Sequence, residues 1–185
     1  MQIEVQRKRF TVDEYHRMGD AGILTSEDRV ELINGEIVTM SPIGNRHLGC
    51  VNAASEKLTI ALGQRAVVSV QNPLQLSDLT EPQPDIVVLK RRKDFYRFKR
   101  PETADALLVI EVADTSIKYD RDVKLRLYAQ AGVLEVWIEN LEEDVLLVFR
   151  DITDAGYRTH LSLPRSATVS PMAFPDVILQ VEELL

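Results

Sequence analysis

The stretch Ala106 to Ala113, ALLVIEVA, is the most continuous apolar run in the chain, and it holds one acid, Glu111. Eight residues of this kind without polar alternation read as a strand covered on both faces, the central strand of a sheet flanked by helices. An ionised carboxylate on such a strand costs several kcal/mol unless it is paired or bound to a cation. Glu111 therefore needs a partner.

The elements around this strand follow from periodicity and punctuation. Thr11 and Glu14 make a capping-box pattern, and Tyr15 and Met18 give a short helix an apolar side before Gly19 and Gly22 end it. Arg29 to Ile33 and Glu36 to Met40 flank Asn34-Gly35, which suits the positive φ angles of a two-residue hairpin turn. Alternation then puts Glu31 on the opposite side from Val30 and Leu32, pointing inward. From Asn45 to Leu62 a long helix is expected, with Leu48, Val51, Ala54, Leu58 and Leu62 as its apolar register and Gly63 closing it. Strands follow at Ala66 to Leu76, bent or interrupted at Pro73, and at Asp85 to Leu89. After Ala106 to Ala113 comes a turn at Asp114-Thr115-Ser116. The stretch from Tyr119 to Ala131 reads as a helix with Val123, Leu127 and Ala131 in register, ended by Gly132 before a strand from Leu134 to Glu139. Strand, helix and strand with such short joints form a crossover that makes the two strands parallel, so the sheet is mixed. Asp144 to Arg150 and Tyr157 to Leu163 read as a further hairpin, and Val177 to Leu185 as a short helix or tail. The class is α/β (α+β). Its helix, three strands, helix, strand order from Asn45 to Glu139 is that of a restriction-endonuclease-like core, preceded here by a helix and a hairpin.

With 185 residues, 45% of them hydrophobic, one domain spanning 1–185 is expected, with its core at about 29–150 and a C-terminal hairpin and tail at 151–185. Cys50 is the only cysteine, which excludes an intrachain disulfide and a thiolate zinc cage and suits a reducing, cytoplasmic setting. Met1 to Phe10 carries no signal-peptide stretch, and no segment approaches a membrane span.

The net charge of minus 7 argues against a protein that coats nucleic acid with its whole surface. The distribution is segregated, however. Lys90, Arg91, Arg92, Lys93, Arg97, Lys99 and Arg100 stand against Asp94 alone, which leaves this run at plus 6 and the rest of the chain at minus 13. Phe95, Tyr96 and Phe98 interleave the cations, as in a surface where cations meet phosphates and rings meet bases. A solvated loop whose rings cover the edge of the core fits the same pattern.

Asp85, after Pro84 at the start of its strand, is the partner that neighbouring strands would bring to Glu111. Two carboxylates so placed repel each other, and a divalent cation removes that repulsion while gaining oxygen ligands. The alternative for either acid is solvent or an arginine. Several segments together resemble one family: Glu31-Leu32-Ile33-Asn34-Gly35-Glu36-Ile37, Gln71-Asn72-Pro73-Leu74-Gln75-Leu76, Pro82-Gln83-Pro84-Asp85, Ile110-Glu111-Val112, and Tyr119-Asp120-Arg121-Asp122-Val123-Lys124-Leu125. Tyr128 to Ile138, YAQAGVLEVWI, completes the pattern. These resemble the Uma-type restriction-endonuclease family, a former domain of unknown function abundant in cyanobacteria and placed in the PD-(D/E)XK nuclease superfamily. The resemblance runs from about Phe10 to about Arg150.

It implies a Mg²⁺-dependent (or Mn²⁺-dependent) endonuclease that hydrolyses phosphodiester bonds of nucleic acid, DNA by preference, with Asp85, Glu111 and Glu31 as metal ligands. The superfamily lysine is missing, because Ala113 stands two residues after Glu111. A lysine on the following helix serves instead in relatives of this pattern, which points to Lys124, with Lys118 as a poorer second. Asp120, Lys124 and Tyr128 share a helix face at four-residue spacing, so an ordinary Asp120–Lys124 pair is the plain alternative for that lysine. Glu31 is otherwise a solvated hairpin residue. His47, Gln71 and Asp120 are accessory candidates, Gln75 a weaker one, and Trp137 is most simply core. A homodimer is expected, since duplex cutting requires two sites. The rival reading is a nuclease-derived binding or assembly module without turnover. A serine hydrolase is disfavoured, since no elbow motif surrounds any serine.

Overall fold

The computed structural model describes residues 7–114 and 117–185, so Thr115 and Ser116 of the expected turn lie outside the described residues. Helix α1 (Val12–Asp20) opens on the expected capping box. The Glu14 N–H donates to Thr11 Oγ1 at 3.2 Å and the Thr11 N–H donates to Glu14 Oε2 at 2.9 Å. Strands β1 (Val30–Ile33) and β2 (Glu36–Thr39) pair antiparallel around Asn34 and Gly35, whose φ angles are 51° and 77°. Both central residues thus take the left-handed geometry of the turn. Arg9 closes over the turn so tightly that a Cβ on Gly35 would lie 2.6 Å from Arg9 Cβ.

Helix α2 (Asn45–Leu62) has the expected bounds, ending at Gly63 with φ 54°. Its buried stripe is Cys50, Val51, Ala54, Leu58 and Leu62. Leu48, expected in that register, is 47% exposed. The first turn is exposed apart from half-buried His47, so the helix meets the sheet only from its second turn onward.

Strands β3 (Ala66–Val70), β4 (Ile86–Lys90), β5 (Ala106–Ala113), β6 (Val136–Asn140), β7 (Val145–Thr153) and β8 (Gly156–Pro164) form one six-stranded sheet in chain order. The β5–β6 pair is parallel and the other four are antiparallel. The mixed sheet and its internal strand β5 therefore match the sequence. Strand β3 stops earlier than expected: Gln71, with φ 50°, breaks it before Pro73 is reached. Asp85 lies in the bend just before β4 rather than within the strand.

The crossover from β5 to β6 is helical but not uniform. Helix α3 (Ile117–Tyr119) runs into a π-helical turn (Asp120–Lys124), where the Leu125 N–H reaches back five residues to the Asp120 carbonyl, and then into α4 (Leu125–Ala131). Gly132 ends it with φ 92°. Val123, Leu127 and Ala131, the expected apolar register, are only half-buried. Asp120, Lys124, Tyr128 and Ala129 are the residues turned inward. This reversal is tolerable because the Lys124 ammonium and the Tyr128 hydroxyl meet carboxylates from β1 and β5, while Asp120 adds to the acids that keep Lys124 charged.

The two sheet faces carry separate cores. Alternation along β5 and β6 sends Ile110, Val112 and Trp137 toward α2, and Val109, Val136 and Ile138 toward the crossover helix. The C-terminal segment, read above as a short helix or tail, is instead a two-residue strand β10 (Leu179–Gln180) paired with β9 (Thr168–Val169), followed by a 3-10 turn at Val181–Glu183. Val177, Leu179, Val181 and Leu184 are buried in the α2 core, so this segment is packing rather than trailing chain.

Candidate active site

A cavity of about 420 Å³ opens where β1, β4 and β5, the first turn of α2 and the π-helical turn meet. Glu31, His47, Asp85, Glu111, Asp120 and Lys124 all line it. The topology explains the convergence. Glu31 is carried in by the hairpin, Asp85 by the approach to β4, and Glu111 by the end of β5, while the crossover helix leaving β5 folds Lys124 back over them.

Asp85 is held by four groups. Its Oδ2 accepts the Val112 N–H at 2.9 Å and lies 3.0 Å from His47 Nε2, its Oδ1 accepts Gln71 Nε2 at 3.2 Å, and its own N–H points at Glu111 Oε2, 3.4 Å away. Burial works to raise the Asp85 carboxyl, but the hydrogen bonds from His47, Val112 and Gln71 outweigh it and hold the group below its ordinary value. Asp85 is therefore ionised. Glu111 is different. Burial pushes it up to about 8 against the pull of the Lys124 ammonium, with Asp120 and Asp85 adding repulsion. Tyr128 donates to Glu111 Oε1 from beneath.

Lys124, 6% exposed, places its Nζ 3.3 Å from Glu111 Oε1 and 3.5 Å from Glu31 Oε2. Burial lowers its pKa, but the acids Glu111, Glu31, Asp120 and Asp85 raise it by more, so it stays charged. Glu31 also accepts the Gln83 N–H at 3.2 Å and the Tyr119 hydroxyl at 3.4 Å. The Lys118 side chain lies outside the described residues.

Three carboxylates around one ammonium leave an excess of negative charge and an all-oxygen donor set, which suits a hard divalent cation such as Mg²⁺ or Mn²⁺. The residues thus fit such an ion in chemistry. Among the described residues no three His, Cys, Asp or Glu side chains stand close enough together to form a ready-made cage, since Lys124 sits between Glu31 and Glu111.

The basic run lies elsewhere. It follows the end of β4 remote from Asp85, and none of its residues lines the cavity. Lys90, Arg91, Lys93, Arg97, Lys99 and Arg100 are exposed, whereas Arg92 is half-buried and grips Asp94 at 2.8 and 2.9 Å. The interleaved rings are partly engaged at home: Arg91 stacks over Phe95 at 4.3 Å and Arg92 over Tyr96 at 4.8 Å, while Phe98 stands 82% exposed. Arg100 and Lys99 face Glu81 and Glu102. Gln75 stays away from the cavity, its N–H bonded to the Pro101 carbonyl. Trp137 is fully buried and donates to Glu135.

Sequence reasoning left out Gln83, Tyr119 and Glu139 as site residues. Gln83 and Tyr119 gave no signal beyond the motifs that contain them. Glu139 gave the same signal as Glu111, an acid on an apolar strand, and it is completely buried.

Among the described residues no helix is long and apolar enough to cross a membrane. No curated protein matches the chain at a significant level. A solved structure, described as a putative nuclease belonging to DUF820 from Anabaena variabilis ATCC 29413, shares the fold with a TM-score of 0.70 at 16% identity, covering 95% of this chain and 97% of that one. The sequence matches the Uma2 family, described as "Putative restriction endonuclease", over residues 12–182. A match of that extent, on a chain with this core, means that the protein belongs to the Uma2 family.

Proposed function

We propose that the protein is an endonuclease that hydrolyses phosphodiester bonds of nucleic acid, with DNA as the preferred substrate and Mg²⁺ or Mn²⁺ as the cofactor. The observation that carries this reading is the meeting of Asp85 and Glu111 at one cavity, with Lys124 reaching the same Glu111 oxygen that Tyr128 binds. Asp85, Glu111 and Glu31 would hold the ion. When bound, the ion supplies charge neutralisation at the scissile phosphate and acidification of water.

The protein's own groups divide the remaining work. Asp85 is kept ionised and oriented by His47, Gln71 and the Val112 N–H, so it presents a charged oxygen at neutral pH. Burial holds Glu111 up at about 8 despite Lys124, so a further cation would favour its ionised form, which makes it the carboxylate most responsive to metal. Lys124, the only ammonium in the cavity lining among the described residues, would stabilise negative charge developing on the phosphate and on the attacking water. The exposed cations of the basic run would steer a polyanion that the acidic body repels. Two copies would serve a duplex, one per strand. The buried, free Cys50 suits the cytoplasmic setting in which we place the protein.

A second reading rests on Lys124 itself, whose ammonium already lies within 3.5 Å of both Glu31 and Glu111. A site satisfied in this way suits a nuclease-derived module that binds without turnover. Incubation with plasmid, single-stranded DNA and RNA, with and without Mg²⁺ or Mn²⁺, beside Asp85→Asn separates the two. Cleavage that needs metal and vanishes in the variant supports the nuclease, and equal behaviour of both proteins with no product refutes it.

A further inference from the structure

Five buried side-chain nitrogen or oxygen atoms have no hydrogen-bond partner among the described residues, and three of them are Glu139 Oε1, Glu139 Oε2 and His47 Nδ1. Buried polar atoms are strongly driven to pair, so unpartnered ones close together call for an explanation. These atoms share one region of the molecule. Glu139 lies opposite Val112 in the β5–β6 ladder, and alternation from Trp137 turns it toward α2. The Val112 N–H binds Asp85 Oδ2, the oxygen that His47 Nε2 also meets. Cys50, one helical turn beyond His47, belongs to the core on that same sheet face, and Glu139 is among the groups near enough to raise its thiol after burial.

We infer that Glu139 is a positioning residue whose carboxyl group is the partner of His47 Nδ1 through one buried water, since the two lie beyond direct hydrogen-bond reach, and so fixes His47 against Asp85. The inference rests on the metal-site reading of Asp85 given above. Its chemistry is consistent at each atom. Burial, with the nearby charge of Asp85, raises Glu139 well above the ordinary carboxylate range and so favours the neutral acid, whose hydroxyl donates to the water that in turn donates to Nδ1. An imidazole that accepts at Nδ1 carries its proton on Nε2, which donates to the ionised Asp85. Asp85 Oδ2 is thereby committed to the protein, while Oδ1, bound among the described residues only by the Gln71 amide, is left for a cation. No proton needs to leave this chain during the reaction. It fixes the imidazole tautomer and the orientation of the carboxylate, as second-layer partners of metal ligands do.

The test uses the full chain labelled with ¹⁵N-histidine. There are three histidines, and His47→Leu assigns the His47 signal. In wild-type protein His47 is expected as the Nε2–H tautomer with an accepting Nδ1. Glu139→Gln, which keeps a donor of the same shape, should preserve that signature and hold the Mn²⁺ affinity within about threefold, while Glu139→Leu shifts the Nδ1 resonance and weakens Mn²⁺ about 10- to 100-fold. A purely structural role would not let Gln restore both the tautomer and the metal affinity that Leu loses. As a cross-check independent of the folding of Glu139 variants, His47→Leu should move the ¹³C carboxyl resonance of Glu139. If neither residue's substitution moves the other's resonance, or if Gln and Leu at 139 weaken Mn²⁺ equally, the inference falls. If wild-type protein binds no Mn²⁺, the metal reading fails instead, and the resonances alone decide the Glu139–His47 partnership.

Discussion

The Lys124 ammonium lies 3.3 Å from Glu111 Oε1, on the side of the carboxylate where Tyr128 also donates. It closes a buried triad with Glu31 and occupies the position of positive charge in the cavity. Lys124→Met should therefore destabilise the fold by about 3 to 5 kcal/mol in urea melts, because it leaves the buried Glu31 without its counter-ion and removes the donor beside Glu111. The same variant should bind Mn²⁺ more tightly, since it removes a competitor for Glu31 and Glu111, yet cleave roughly 10²-fold more slowly. An unchanged cleavage rate would reduce Lys124 to a structural ion.

Glu111 makes stability depend on pH. Its folded-state value of about 8 lies above the ordinary 4.5, so the folded protein keeps a proton there that the unfolded chain releases. This contribution is complete below about pH 4.5 and is lost progressively as pH rises to about 8. Melting temperatures across that window should fall more for wild type than for Glu111→Gln. Mn²⁺ should offset the loss most at the alkaline end, where it no longer competes with the proton.

Gly35 governs Glu31 from a distance. Its φ of 77° and the 2.6 Å approach of Arg9 Cβ to a built Cβ leave no room for a side chain. Gly35→Ala should cost about 1 to 3 kcal/mol. It should also weaken Mn²⁺ binding, measured by calorimetry, by displacing the hairpin that carries Glu31 into the cavity.

The exposed cations offer a test that leaves the cavity untouched. Replacing Arg91, Lys93 and Arg97 by Gln should lower the slope of log affinity against log salt for a DNA oligonucleotide by about 2 to 3, if all three reach phosphates. Cleavage at saturating substrate should be unchanged, because none of the three lines the cavity. An unaltered salt slope would make the run a solvated loop with self-stacked rings.

Much of this architecture is written locally. The capping box at Thr11, the Asn34-Gly35 turn, the bounds of α2 and the strand Ala106–Ala113 each follow from short-range sterics and apolar periodicity, which depend on few neighbours. The acid at position 111 was conspicuous for the same reason: a charge among apolar residues needs explaining wherever the strand lies. Glu139 carries that signal too, but the sequence does not say whether such a residue meets an arginine, as Glu135 meets Arg150, or is buried with no hydrogen-bond partner among the described residues.

The sequence alone thus determined which segments become strands and helices and which acids are anomalous, because those properties reside in the pattern of a few consecutive residues. Only the tertiary structure decided that the helix after β5 turns its polar face inward, that Leu48 is left in solvent, that the C-terminus fills the core under α2, and that the basic run and the cavity lie at opposite ends of β4. Each of these depends on what another segment supplies: a carboxylate to receive Lys124, or apolar surface to cover. No local pattern encodes the energy of a contact whose second partner lies many residues away.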